Sequence, residues 1–205
     1  MKRTIFLAIA LLVFTAATAR AQNQETLFTM GDTEVGLSLG TAARYTTIFD
    51  DDAGLLEFKG LLTFDRTWAV GLMGAGLWYD KSLHDLVDDG SYRIEMAYGG
   101  VVVERWFSLS PDVIFSLSVA TGYGEVKYRY DREYRKDKIW TEESIDQTTF
   151  AFFEPGVALQ LNLSGRLWLG VSGSYRNTAP VELLGTDENV FRKFSGGVTV
   201  TYGLF

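Results

Sequence analysis

Gly197-Val198-Thr199-Val200-Thr201-Tyr202-Gly203-Leu204-Phe205 closes the chain. Successive side chains of an extended strand point to opposite faces. Val198, Val200, Tyr202 and Leu204 therefore share one face, opposed by Ser195, Gly197, Thr199 and Thr201. The first face is apolar, and the second is small and hydroxyl-rich. A helical period would mix the two sets.

The same two-faced pattern recurs back along the chain. Leu167, Leu169, Val171 and Tyr175 oppose Trp168, Gly170, Ser172, Ser174 and Arg176. Phe153, Val157, Leu159 and Leu161 oppose Glu154, Gly156, Ala158, Gln160 and Asn162. Val113, Phe115, Leu117, Val119 and Tyr123 oppose Ser116, Ser118, Ala120, Gly122 and Gly124. Around residues 92–106, Tyr92, Ile94, Met96 and Tyr98 form the apolar set against Arg93, Glu95 and Ala97. A phase slip at Gly99-Gly100, as a β-bulge produces, then turns Val101 and Val103 outward and Glu104 inward. Trp68, Val70, Leu72 and Trp78 mark a strand over about 67–79, with Gly71 and Ala75 opposite. Leu56, Phe58, Leu62 and Phe64 oppose Glu57, Lys59 and Thr63 over about 55–64, and a first strand covers about 34–47. Eight strands result, each with one apolar face.

Other features set where such strands belong. Lys2 and Arg3, the uncharged run Ile5–Phe14 and the small-x-small sites Ala17-Thr18-Ala19 and Ala19-Arg20-Ala21 have the layout of a cleavable export signal. Ten apolar residues are too few to cross a hydrocarbon core of roughly 30 Å as a helix. Cleavage is expected after Ala21. The chain has no cysteine, which excludes disulfides, thiolate metal sites and a lipid-modified N-terminus. Loss of Lys2, Arg3 and Arg20 with the leader takes 19 basic residues to 16 against 26 acidic ones, a net charge of −10. That balance argues against nucleic acid as a partner.

An exported chain with no later spanning helix crosses a membrane only as a closed barrel. The expected fold is an eight-stranded antiparallel up-and-down transmembrane β-barrel at residues 34–205, preceded by a signal peptide (1–21) and an N-terminal periplasmic segment (22–33). The Gly/Ala/Ser-rich face suits the narrow lumen of eight strands, and aromatics near strand ends suit membrane–water interfaces. The competing reading is a secreted, lipocalin-like barrel with its apolar face inside. Short turns at 65–66, 108–112 and 164–165 share the side of both termini, so they are periplasmic. Segments 49–54, 80–90, 130–147 and 177–189 then face outward. Val126, Tyr128 and Tyr130 continue the alternation and extend one hairpin above the bilayer.

Three tracts carry a resemblance. They are Met96-Ala97-Tyr98-Gly99-Gly100-Val101-Val102-Val103-Glu104, Phe153-Glu154-Pro155-Gly156-Val157-Ala158-Leu159-Gln160-Leu161-Asn162, and Gly173-Ser174-Tyr175-Arg176 with Tyr202-Gly203-Leu204-Phe205. They resemble a group of small outer-membrane β-barrel proteins of Gram-negative bacteria that has no assigned activity. The resemblance covers about residues 55–205 and implies the barrel and its location. Phe205 lies one residue out of phase with Tyr202 and Leu204, so the terminal assembly signal read by the barrel-assembly machinery is assigned to Tyr202 and Phe205 together.

The inward phase is expected to collect Arg44, Lys59, Arg93, Arg176 and Lys193 against Glu57, Glu95, Glu104 and Glu154. Isolated charges in a narrow lumen are costly, so these should pair. Arg176 or Arg93 is the expected partner of Glu154. A paired set makes a plug, and a loose one makes a polar path for a small solute. Pro155 cannot donate a ladder hydrogen bond, so a bulge or a locally unpaired stretch is expected beside Glu154. His84, in Ser82-Leu83-His84-Asp85, is the one histidine. A lipid A-modifying enzyme would use such a residue with Ser, but a solvated loop histidine needs no further partner. Asp50-Asp51-Asp52 and Asp88-Asp89 are acidic runs of the kind that hold Ca²⁺ or Mg²⁺, though without EF-hand spacing. Tyr128–Lys138 interleaves Tyr with Arg and Lys and would suit anionic lipopolysaccharide. Neither Gly74-Ala75-Gly76 nor Gly122-Tyr123-Gly124 opens a helix, so neither is a phosphate loop. No cofactor is expected. The function expected is a non-enzymatic barrel with a plugged, salt-bridged lumen, in contact with outer-membrane lipid and lipopolysaccharide. The alternatives are a narrow channel for a small polar or hydrophobic solute, then an outer-leaflet lipid A-modifying enzyme.

Overall fold

The computed structural model describes residues 28–49, 51–79, 91–131 and 144–204. The leader, Asp50, His84, Asp88-Asp89, most of Tyr128–Lys138 and Phe205 lie outside the described residues. The strands in chain order are β1 (Phe28–Met30), β2 (Thr33–Ile48), β3 (Asp51–Phe64), β4 (Trp68–Trp78), β5 (Ser91–Ser110), β6 (Val113–Asp131), β7 (Ser144–Ser164), β8 (Leu167–Thr178) and β9 (Lys193–Leu204). Each pairs antiparallel with the next, and β9 returns to β2, closing a ring of eight long strands. β1 was not expected. It folds back along the base of β2, with Phe28 opposite Val35, just below the last β9 pair, Leu37 with Leu204.

Turn chemistry explains the lower connections. Asp65 and Arg66 both take positive φ, as tight hairpins require, and Asp65 Oδ1 accepts the Glu34 N–H at 2.9 Å. Gly165 supplies the positive φ of the 164–166 turn. At the β2–β9 seam a methyl on Gly197 would overlap the Ala43 carbonyl, so only glycine lets these strands coil this tightly.

The outer surface is an apolar band. Leu56, Phe58, Leu62, Val70, Leu72, Leu117, Val119, Val157, Leu159, Val171, Val198 and Val200 are exposed on it. Tyr45, Trp78, Tyr123, Phe153 and Phe194 cluster at its upper edge, and Trp68, Phe107 and Tyr202 at its lower edge. From Trp68 to Trp78 a tilted strand rises roughly 25 Å. The competing lipocalin-like assignment of faces is therefore excluded.

Three expectations are corrected, and one open alternative is decided. First, β5 carries no slip at Gly99-Gly100. Its pairing runs unbroken through Gly99–Tyr123 and Gly100–Gly122, and the irregularity falls at Ser108/Ser110. Tyr92, Ile94, Met96 and Tyr98 consequently face inward and are buried with Val102, Glu104 and Trp106. The tops of β5 and β6 rise above the apolar band, and there the polar face turns to water. Second, Asp51 and Asp52 are not in a loop. They pair with Ile48 and Thr47 and so belong to β3. Their carboxylates accept hydroxyls from Tyr79 at 3.3 Å and Tyr45 at 2.6 Å. Burial, and then the Asp51 carboxylate beside it, push the Tyr79 phenol up to about 12. Third, the β8–β9 segment does not extend outward. Val181, Leu183, Val190 and Phe191 are buried, and the Phe191 ring stacks on Phe150 at 6.3 Å. Residues 179–192 cork the upper mouth, tied by the Tyr128–Thr186 hydroxyl pair, by Leu184 N–H to Asp146 at 2.8 Å and by Arg192 Nε to the Thr178 carbonyl at 2.8 Å. The alternative decided is at Pro155: of the two structures expected there, the locally unpaired one occurs. The β7–β8 ladder runs from Phe153–Asn177 to Gly156–Ser174 with no pair between and no change of register. The tall hairpin appears as expected, as β6 reaches Asp131 and β7 begins at Ser144.

Candidate functional site

The lumen at mid-depth holds a charged layer. Arg44 on β2 is its hub. Nη2 lies 2.9 Å from Glu57 on β3, and Nη1 lies 2.8 Å from Glu154 on β7. Nη1 also donates to Ser174 Oγ at 2.8 Å. Because β2 and β7 stand on different arcs of the ring, the Arg44–Glu154 pair spans the lumen. Glu154 accepts two further hydrogen bonds, from Ser174 Oγ at 2.5 Å and from the Tyr98 hydroxyl at 3.0 Å. Ser174 meets Ser195 on β9 at 2.8 Å. Lys59 Nζ pairs with Glu104 at 2.6 Å, and the Trp106 indole N–H donates to the other Glu104 oxygen at 2.8 Å. These residues are nearly all buried. Such charge-assisted bonds are the strong class; Glu104 and Glu154 each accept from at least two donors, which offsets their desolvation, and Glu57 is held by Arg44 Nη2 on both oxygens.

Of the nine charges expected inside, seven lie on inward phases: Arg44, Glu57, Lys59, Glu104, Glu154, Arg176 and Lys193. Arg93 and Glu95 do not. With β5 in unbroken register they face outward, where Glu95 pairs with Arg129 at 2.8 Å and Lys127 at 3.5 Å. The expected partner of Glu154 is corrected as well, since Arg44 takes that place. Arg176 instead donates Nη1 to the Tyr98 hydroxyl at 3.2 Å and Nε to the Phe191 carbonyl at 3.1 Å. Its guanidinium sits 5.1 Å from the Tyr98 ring centroid. It thus reaches Glu154 only through a phenol.

Sequence reasoning missed Tyr98, Trp106 and Ser195. Trp106 was legible, because it lies two residues from Glu104 and shares its face. Tyr98 was read as lipid-facing, so its hydroxyl was not considered.

A cavity of about 30 Å³ lies within the layer, lined by Arg44, Glu57, Lys59, Glu104, Glu154 and Ser174 among others. That is room for about two waters. Above it, the tall strands and the cork fill the mouth with Tyr92, Ile94, Met96, Val126, Tyr128, Phe150, Phe152 and Phe191. Chemically the arrangement fixes charges against one another.

No family model and no curated protein matches the chain. Solved structures do match in shape. Neisserial surface protein A superposes with a TM-score of 0.52 at 8% identity, covering 84% of this chain and 97% of that one. The fold is that of a small outer-membrane β-barrel. Ail, the attachment invasion locus protein of Yersinia pestis, matches at a TM-score of 0.48 and 15% identity over 82% of this chain and 97% of its own. The outer membrane protein OprG of Pseudomonas aeruginosa gives 0.43 and 11% over 82% and 95%.

Proposed function

We propose that residues 1–21 direct export and that the mature chain is inserted in the outer membrane by barrel-assembly machinery reading Tyr202 and Phe205. It serves there as a closed, non-enzymatic barrel. Residues 22–33 lie on the periplasmic side, 34–205 form the barrel, and the tall β5–β6–β7 wall faces outward beside lipopolysaccharide. The observation that carries this reading is an outer apolar band edged by aromatics around a lumen bridged by Arg44. The mature protein should fractionate with the outer membrane, migrate differently on gels when unheated, and give no steady current in planar bilayers. Recovery as a soluble periplasmic protein removes the membrane reading. The small polar cavity favours one second reading, a narrow channel for a small solute, and stable single-channel currents would put it first.

A further inference from the structure

We propose that the place now filled by Phe191, above Arg176, is a binding site for a small apolar monocarboxylate. Arg176 is 1% exposed. Among the described residues no carboxylate forms an ion pair with it, and its Nη2 meets no protein acceptor. Its other two donors go to neutral oxygens, the Tyr98 hydroxyl and the Phe191 carbonyl. A buried guanidinium without an anion is unfavourable. Its planar fork matches a carboxylate in bidentate geometry.

Phe191 indicates what fits. One residue places a carbonyl oxygen on Arg176 Nε and a flat ring against Phe150, the two planes only 4° apart. A ligand with an acceptor head and an aromatic or compact apolar body repeats both contacts. A carboxylate head adds the second hydrogen bond and the missing charge. Phe150, Phe152, Val181 and Leu183 supply apolar walls. Lys193 is the cross-strand neighbour of Arg176 on β9. The ladder opposite Arg176 is also open, because Glu154 and Pro155 make no pair with β8. Binding therefore displaces Phe191 and with it part of the 179–192 cork, and requires no rearrangement of the charged layer.

The test uses the full mature protein in zwitterionic detergent, with 3-phenylpropionate as probe and 3-phenylpropanol as its uncharged control. The acid should bind at least about tenfold more tightly than the alcohol, as expected of hydrogen bonds to a charged group. Arg176→Gln should abolish that preference, while Arg93→Gln on the outer face leaves it intact. Phe191→Ala should strengthen binding of the acid, since the resident competitor is gone. Should Phe191→Ala fail to fold, Arg176→Lys, which keeps the charge without the fork, should lose most of the preference. Equal binding of acid and alcohol, or undiminished binding by Arg176→Gln, overturns the proposal. Sulfate competing as well as the carboxylate overturns the ligand class.

Discussion

The lower and upper halves of the lumen are held together in different ways. The charged layer ties strand to strand: Arg44, Glu57, Lys59, Glu104, Glu154, Ser174 and Ser195 belong to six strands of the ring. The aromatic layer above it ties strands to a loop, through Phe191 on Phe150 and Thr186 on Tyr128. A directional network fixes which strands lie opposite one another. An apolar cluster makes no such demand, so it accepts an inserted segment of 179–192. The lower half thus determines the geometry of the barrel, and the upper half determines what occupies its mouth.

Substitutions can break that contrast. The largest effect is expected for Glu154→Gln, which leaves Arg44, Ser174 and Tyr98 facing a weaker acceptor. Breaking a buried pair costs roughly 3–5 kcal/mol, and the loss should appear as global unfolding in detergent or lipid at lower denaturant. A variant as stable as the parent would mean that the network does not join the strands. Next, Leu117→Arg, Leu159→Arg and Val171→Arg should each cost roughly 2–4 kcal/mol near a bilayer midplane. Val171 pairs with Val198, and Val198 with Ala43 beside Arg44, so this set asks whether the charged layer lies at mid-depth. Insensitivity of all three in lipid would remove the membrane from that level.

A smaller loss, about 1 kcal/mol, is expected for Thr186→Ala, and it should fall on the cork alone. Proteolysis within 179–192 would accelerate while the global unfolding midpoint stays put. A matching drop in that midpoint would show that loop and barrel unfold as one unit. Smallest is Asp51→Asn at the upper rim, at most about 1 kcal/mol. Because the folded pKa of Tyr79 is raised, any stability from its neutral phenol is complete below about pH 10 and is lost as pH climbs toward about 12. Removing the Asp51 charge should shift the phenol's absorbance titration to lower pH. An unchanged titration would assign the shift to burial alone.

Sequence pattern served the lower half well, because there the outer face is apolar, the inner face is small and polar, and a period of two separates them cleanly. Val171 against Ser172 leaves little choice. Above the apolar band the contrast inverts. Tyr92, Ile94, Met96 and Tyr98 pack inward while Arg93 and Glu95 meet water, so reading apolar as outward forced a slip at Gly99-Gly100 that the strand does not contain. The cork had a visible signal in Val181, Leu183, Val190 and Phe191, four apolar residues in a segment otherwise read as polar. The partner of Glu154 had none. Arg44 is 110 positions away, and only ring closure brings the two together.

That closure joins β2 to β9, the first long strand to the last. Side-chain period two makes a one-residue error there invert every face of β9. β1 bears on this choice. By occupying the β2 edge from Thr33 to Val35, it leaves the final strand a track that begins at Leu37. A chain shortened through Met30 would free three more β2 positions, Thr33 to Val35, for β9 to slide along, and its barrels would be expected to seal in mixed alignments. The short N-terminal hairpin acts as the stop against which the ring is zipped shut.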